Sequence, residues 1–180
     1  MRVVSGTARG TTLRAPNGVT TRPTADRVKE ALFSIIQFDI PGASVLDLFG
    51  GSGQLGIEAL SRGANRAVFV DFDKNACSVI RENLKRTNFL DDAVVCNVDS
   101  FAYLRMCKEK FNIILLDPPY AKDYLEKALK LITEIDILQS GGIIVSERSL
   151  EKNLSMDFPG YIRSRDYKYG NTLLALYRKE

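Results

Sequence analysis

From Ser44 onward, short unbroken runs of apolar residues alternate with stretches in which apolar positions return every three to four residues. An unbroken run bounded by turn residues is the pattern of a strand buried on both faces, and the wider spacing is that of a helix with one buried side. Strands are expected at Val45–Phe49, Ala67–Asp71, Ala93–Val98, Ile113–Asp117 and Ile143–Ser146, the last entered through Gly141-Gly142. Helices are expected around Leu55–Leu60, over a segment whose Ala76, Val79, Ile80 and Leu84 share one face, at Phe101–Cys107 and at Tyr124–Ile135. Apolar strands separated by amphipathic helices predict an α/β fold with a mostly parallel sheet covered on both faces, because right-handed crossovers lay helices over each side.

Both ends break this alternation. Tyr161–Lys168 alternates with a period of two, Tyr169-Gly170-Asn171 has turn chemistry, and Thr172–Tyr177 follows with no helix between, so an antiparallel strand is expected at or near one edge of the sheet. At the other end, residues 2–5 and 11–14 flank Gly6 and Gly10 as a small hairpin, with the chain trailing to Thr21. Thr24 is placed to cap a helix whose Val28, Leu32, Ile35 and Ile36 keep helical spacing until Pro41-Gly42 stops it. The expected organisation is a basic N-terminal extension over residues 1–21 and one catalytic-sized domain over 22–180.

Composition narrows the chemistry. A chain of 180 residues has length for one substantial core, and it has no apolar run long enough to span a membrane. The opening Met1–Gly6 lacks a secretory signal pattern, so a cytoplasmic protein is expected. Cys77, Cys96 and Cys107 are odd in number and widely spaced, which argues against a disulfide framework and a zinc cluster. Histidine is absent, which excludes every mechanism needing a histidine base. The net charge is +3, yet residues 1–29 hold Arg2, Arg9, Arg14, Arg22, Arg27 and Lys29 against Asp26 alone. Cations set against a polyanion release its counterions, so Arg2, Arg9, Arg14 and Arg22 are candidate nucleic-acid contacts; a solubilising arm is the plain alternative.

Behind the first strand runs Asp47-Leu48-Phe49-Gly50-Gly51-Ser52-Gly53-Gln54-Leu55-Gly56, opening directly into a helix. In an open parallel sheet ligands bind beyond the carboxyl ends of the strands, so this loop lies where a cofactor belongs. Gly51, Gly53 and Gly56 also satisfy the dinucleotide pattern, with Asp71 at the distance an NAD site requires. Three features favour S-adenosylmethionine over NAD. Asp47 at the strand tip would repel a pyrophosphate and attract an ammonium or sulfonium; the chain has no histidine; and it is short for a separate substrate domain. Asp71 can accept from both ribose hydroxyls, Phe72 can cover an adenine, and Asp99 can accept from the adenine amine. The plainer roles are a helix cap or ion pair for the two acids and core packing for Phe72.

The most specific string is Asp117-Pro118-Pro119-Tyr120, at the end of the fourth expected strand. Two prolines fix the backbone and remove two donors, leaving the Asp117 carboxylate and the Pro118 carbonyl as acceptors. An exocyclic base amine is a poor nucleophile because its lone pair is delocalised into the ring; two acceptors on its hydrogens favour a pyramidal nitrogen. Tyr120 offers a flat surface for a base drawn out of its stack. A rigid turn ending a strand is the alternative.

Together with Met1-Arg2-Val3-Val4-Ser5-Gly6, Arg9-Gly10, Arg22-Pro23-Thr24, Asp26-Arg27-Val28, Leu32-Phe33 and Leu55 through Ala64, these motifs resemble the RsmD family, the 16S ribosomal RNA guanine-N2 methyltransferases of bacteria. The resemblance runs nearly end to end. It implies a seven-stranded Rossmann-like methyltransferase sheet, S-adenosyl-L-methionine as methyl donor, and a guanine of 16S rRNA in an assembled or partly assembled small ribosomal subunit as target; a monomer without a metal is the accompanying expectation. It assigns Asp47, Gly50, Gly53, Asp71 and Asp99 to cofactor positions and Asp117 and Tyr120 to catalytic ones. Two departures are mild: Gly51 stands where a small side chain is common, and Asp71 replaces the more usual Glu. The same tetrapeptide could grip adenine in DNA or a glutamine side chain. An NAD-dependent oxidoreductase and a noncatalytic RNA-binding module are the readings from other classes.

Overall fold

A computed structural model describes residues 1–16, 26–119, 123–149, 157–164 and 166–180. Among these residues the body opens with α1 (Asp26–Ile35), followed by β1 (Ser44–Asp47), α2 (Gln54–Ser61), β2 (Arg66–Asp71), α3 (Lys74–Thr87) and β3 (Ala93–Asn97). Then come α4 (Ser100–Met106), β4 (Phe111–Leu116), α5 (Tyr124–Ile135), β5 (Leu138–Ser149), β6 (Tyr161–Arg163), β7 (Tyr167–Tyr169) and β8 (Thr172–Lys179). The alternation read from the apolar pattern is therefore present element by element. The Thr24 cap expected before α1 lies outside the described residues.

The strands form one sheet in the order β3-β2-β1-β4-β5-β8-β6, with β7 also on β8. The first five lanes are parallel, and β8 runs antiparallel to β5. Eight strands stand where seven were expected, and the register explains the difference. β6 pairs with Tyr177–Lys179 of β8 while β7 pairs with Thr172–Leu174, both on the side away from β5. They lie end to end in a single seventh lane that is broken between residues 163 and 167.

Period-two alternation along the strands builds two cores. Val45, Phe69, Ile113, Leu115, Val145 and Leu176 face α1, α2 and α3, while Leu46, Val68, Val70, Ile114, Ile144 and Tyr177 face α4 and α5. Val3 and Leu13 are buried in the first of these cores, so the N-terminal hairpin, joined by an Arg2–Thr12 bridge, seals the outer side of α2. That is why all of α2 is buried, although it carries Glu58 and Ser61. β5 is longer than its apolar run because it contains an irregularity: Phe111 pairs with Leu138 but Ile113 with Ile143. Gly142 sits in that irregularity, where a Cβ would come within 2.9 Å of the Asn112 carbonyl oxygen. No helix among the described residues is long and apolar enough to cross a membrane.

Candidate cofactor and catalytic site

The chain leaves β1 for β2 and β3 on one side and returns to β4 on the other, so the order reverses at β1. Such a switch point opens a crevice at the carboxyl ends of the strands. Asp47, the last residue of β1, is level with Phe69 on β2 and Leu115 on β4. Asp71, the last residue of β2, and Asp117, the first residue after β4, therefore each stand two residues beyond that level, one on either side of the glycine loop. With neighbouring strands about 5 Å apart, their lanes are roughly 10 Å apart.

The glycines of the loop have different causes. A Cβ on Gly50 would approach Ile80 Cδ1 to 2.9 Å, and one on Gly53, at φ +77°, would approach Ile80 Cγ2 to 3.2 Å. Gly53 is required by its left-handed backbone, and Gly50 lets the loop lie close against the Ile80 side chain of α3. Gly51 is also left-handed, but a Cβ there would meet nothing closer than 4.0 Å, and its N–H donates to Asp71 Oδ2 at 2.8 Å. Gly51 is thus the glycine with open space beside it, and it ties the loop to the end of β2.

Asp47 is almost fully enclosed and accepts one hydrogen bond, from the Gly56 N–H at 3.1 Å. Burial pushes its carboxyl up to about 7, the Gly56 bond opposes this, and the neighbouring Asp71 charge adds to the rise. Burial also raises Asp71, against hydrogen bonds from the Asp73 and Gly51 N–H groups. Each Asp71 oxygen holds one of those donors, which leaves each a lone pair for a ligand hydroxyl. What offsets burial in both acids is backbone donation alone, so a cationic ligand would lower the energy of each and an anionic one would raise it. These acceptors fit a ligand carrying positive charge and vicinal hydroxyls.

Phe72 is 75% exposed beside this site, an unusual place for a ring that only packs the core. Asn97 Nδ2 holds its backbone, donating to the carbonyls of Asp71 and Phe72 at 3.1 and 2.9 Å. Asp99 is exposed and caps α4, its Oδ1 accepting from the Phe101 and Ala102 N–H groups. The helix-cap role weighed for it is therefore present, and Oδ2 takes neither cap bond. Across the crevice Asp117 is half-buried, Pro118 buried and Pro119 exposed, so the chain turns outward immediately after β4. Tyr120 lies outside the described residues. An aromatic group that the sequence pattern did not single out stands near this end: Phe49 stacks on Tyr124 at 6.3 Å, and Phe101 tilts against the same ring at 5.6 Å.

Of the basic candidates, Arg2 pairs with Asp26 at 3.1 Å and Arg14 with Glu82 at 2.6 Å, both pairs solvent-exposed. Arg9 is exposed and has no ion pair among the described residues, and Arg22 lies outside them. Two buried polar residues were also missed. Glu58 accepts from the Val4 and Ser5 N–H groups at 2.8 and 2.9 Å and pairs with Lys29 and Arg62. Asn83 is wholly buried on α3. Its signal was available, since it falls between Ile80 and Leu84 on the apolar face of that helix.

Known proteins share this architecture. Residues 1–178 match the family described as Conserved hypothetical protein 95. The YlbH protein of Bacillus subtilis (strain 168) is 41% identical over 182 residues, covering 99% of each chain. Ribosomal RNA small subunit methyltransferase D of Escherichia coli (strain K12) is 32% identical over 180 residues, 100% of this chain and 90% of its own. The solved structure of a hypothetical protein from Thermus thermophilus superimposes with a TM-score of 0.85 at 30% identity, covering 98% of each chain. With the family matching almost the whole chain and relatives spanning it end to end, the protein belongs to the RsmD family of ribosomal RNA small-subunit methyltransferases.

Proposed function

We propose that the protein methylates the exocyclic N2 amine of a specific guanine in 16S rRNA, acting as a monomer on the small ribosomal subunit or an assembly intermediate, with S-adenosyl-L-methionine as donor. The observation that carries this reading is Asp71 at the end of β2 and Asp117 just beyond β4, on either side of β1, with buried Asp47 and the open Gly51 between them. Asp47 and Gly51 would hold the charged amino-acid end of the donor, and Asp71 its ribose hydroxyls. Gly50 and Gly53 shape the loop, while Phe72 and Asp99 would face the adenine. When bound, S-adenosylmethionine supplies a methyl group activated by its positive sulfur.

The remaining work falls to the chain's own groups. The Asp117 carboxylate and the Pro118 carbonyl would accept the two amine hydrogens, holding the nitrogen lone pair out of conjugation with the ring. Tyr120 would support the extracted base. After transfer the nitrogen is strongly acidic, and its proton passes to Asp117 or water, which suits a chain without histidine. Arg2, Arg9, Arg14 and Arg22 would contact RNA phosphates.

Equilibrium titration separates this reading from an NAD-dependent oxidoreductase. Saturable binding of S-adenosylmethionine and none of NAD is expected; the reverse result rejects the donor assignment. Incubation with methyl-labelled donor should place label in RNA of subunits lacking native modifications. Label confined to DNA or protein rejects the acceptor.

A further inference from the structure

The N-terminal segment and the glycine loop share one buried amide. Asn83 Oδ1 accepts from the Arg14 N–H at 2.8 Å, and Nδ2 donates to the Arg14 carbonyl at 3.0 Å and to the Ser52 carbonyl at 2.9 Å. Both Nδ2 hydrogens are thereby used, one on each segment. No apolar side chain could replace these bonds, and loss of the amide would leave the Ser52 carbonyl and both Arg14 backbone groups without this partner.

A second tie runs alongside: Ser52 Oγ donates to Met1 Sδ at 3.2 Å. The same segment is fastened to α2, the helix that the loop opens into. Glu58 accepts from Val4 and Ser5; Ser61 Oγ accepts from the Ala8 N–H at 3.0 Å and donates to the Ser5 carbonyl at 2.6 Å. Residues 1–14 therefore bridge α2 and α3, the two helices that flank the loop, and Asn83 links segment and loop directly.

We propose that Asn83 is a positioning residue that makes the seating of the N-terminal segment and the donor-binding conformation of the glycine loop one coupled equilibrium. The proposal rests on the reading of this loop as the S-adenosylmethionine site. If ordering the loop also orders Arg14, then by linkage anything that fixes the basic segment, an RNA backbone included, favours the donor-binding loop. The device would let a substrate gripping the segment tighten the hold on the methyl donor without touching it.

Hydrogen exchange of the full chain, with and without saturating S-adenosylhomocysteine, tests this. In the wild type, ligand should slow exchange at Gly51–Gly53 and also at residues 11–16, by roughly fivefold or more. In Asn83→Ala the slowing at the loop should remain and that at 11–16 should vanish, with KM for S-adenosylmethionine raised roughly five- to tenfold and kcat little changed. A merely structural asparagine would reduce the amount of active protein, and so kcat, at constant KM. Slowing confined to the loop in the wild type overturns the proposal, even should Asn83→Ala fail to fold, and so does equal slowing at 11–16 in both proteins. Absence of any ligand effect in the wild type instead removes the donor assignment and the coupling with it.

Discussion

Asp47 places a carboxyl where water does not reach, and its titration is the most direct signature of what the site is built to hold. Its pKa in the folded chain is raised from 3.8 to about 7, so the folded state binds more protons than the unfolded state between those values. Stability should therefore be greatest at the acid end of that window as far as this group is concerned, and fall as pH rises through it. A cationic ligand reverses the preference by favouring the carboxylate. Affinity for S-adenosylmethionine is expected to rise with pH across the same window and level off above about 7, and Asp47→Asn should flatten the curve. Calorimetric titrations at several pH values check this; equal pH dependence in both proteins contradicts it. The acids at the strand tips were legible in the sequence because an apolar run ending in a carboxylate marks both a strand and its mouth. Glu58 was not, because it lies inside a helical pattern whose apolar neighbours dominate and its backbone partners, Val4 and Ser5, are 54 and 53 residues away; Asn83 stands out on the apolar face of α3, but no local spacing names Arg14 and Ser52 as its partners.

At the scale of elements, α2 shows what a charged residue does when a helix is covered on every side. Glu58 is wholly buried between Lys29 and Arg62, and burial drives Lys29 below its ordinary pKa against the pull of Glu58. Lys29 also donates to the Arg2 carbonyl at 2.5 Å, so both partners of the pair hold the N-terminal segment. Removing one member of a buried pair costs about 3–5 kcal/mol. Glu58→Ala is therefore expected to lower Tm by roughly 6–20 °C for a chain of this size, measured by thermal unfolding. A change of under a few degrees would mean that Lys29 finds water on its own. Element identity was legible throughout because strand and helix periods differ. The irregularity in β5 and the break between β6 and β7 were not, since both arise from how a strand meets its neighbour in register.

At the scale of the molecule, a slightly acidic catalytic body carries a basic first segment, and the segment is built into the core beside α2. Arg9 projects without an ion pair among the described residues, whereas Arg2 and Arg14 are held in exposed pairs that contribute little stability. A triple variant, Arg2→Ala, Arg9→Ala and Arg14→Ala, should fold normally, bind RNA more weakly and show a salt slope smaller by about 2–3; an unchanged slope removes these residues from the interface. The α/β class and the parallel sheet were legible at this scale from alternation, whereas the seven-stranded methyltransferase sheet was legible only through the family resemblance. The proximity of segment and glycine loop was not, because it depends on a long-range packing arrangement that no local spacing encodes. In the proposed reaction an amine nitrogen would be methylated under the grip of Asp117. Small subunits lacking native modifications, incubated with methyl-labelled S-adenosylmethionine and digested to nucleosides, should yield labelled N2-methylguanosine from 16S rRNA with the wild type and none with Asp117→Ala, although that variant still binds the donor. Label in a different nucleoside, or equal label with Asp117→Ala, would contradict it.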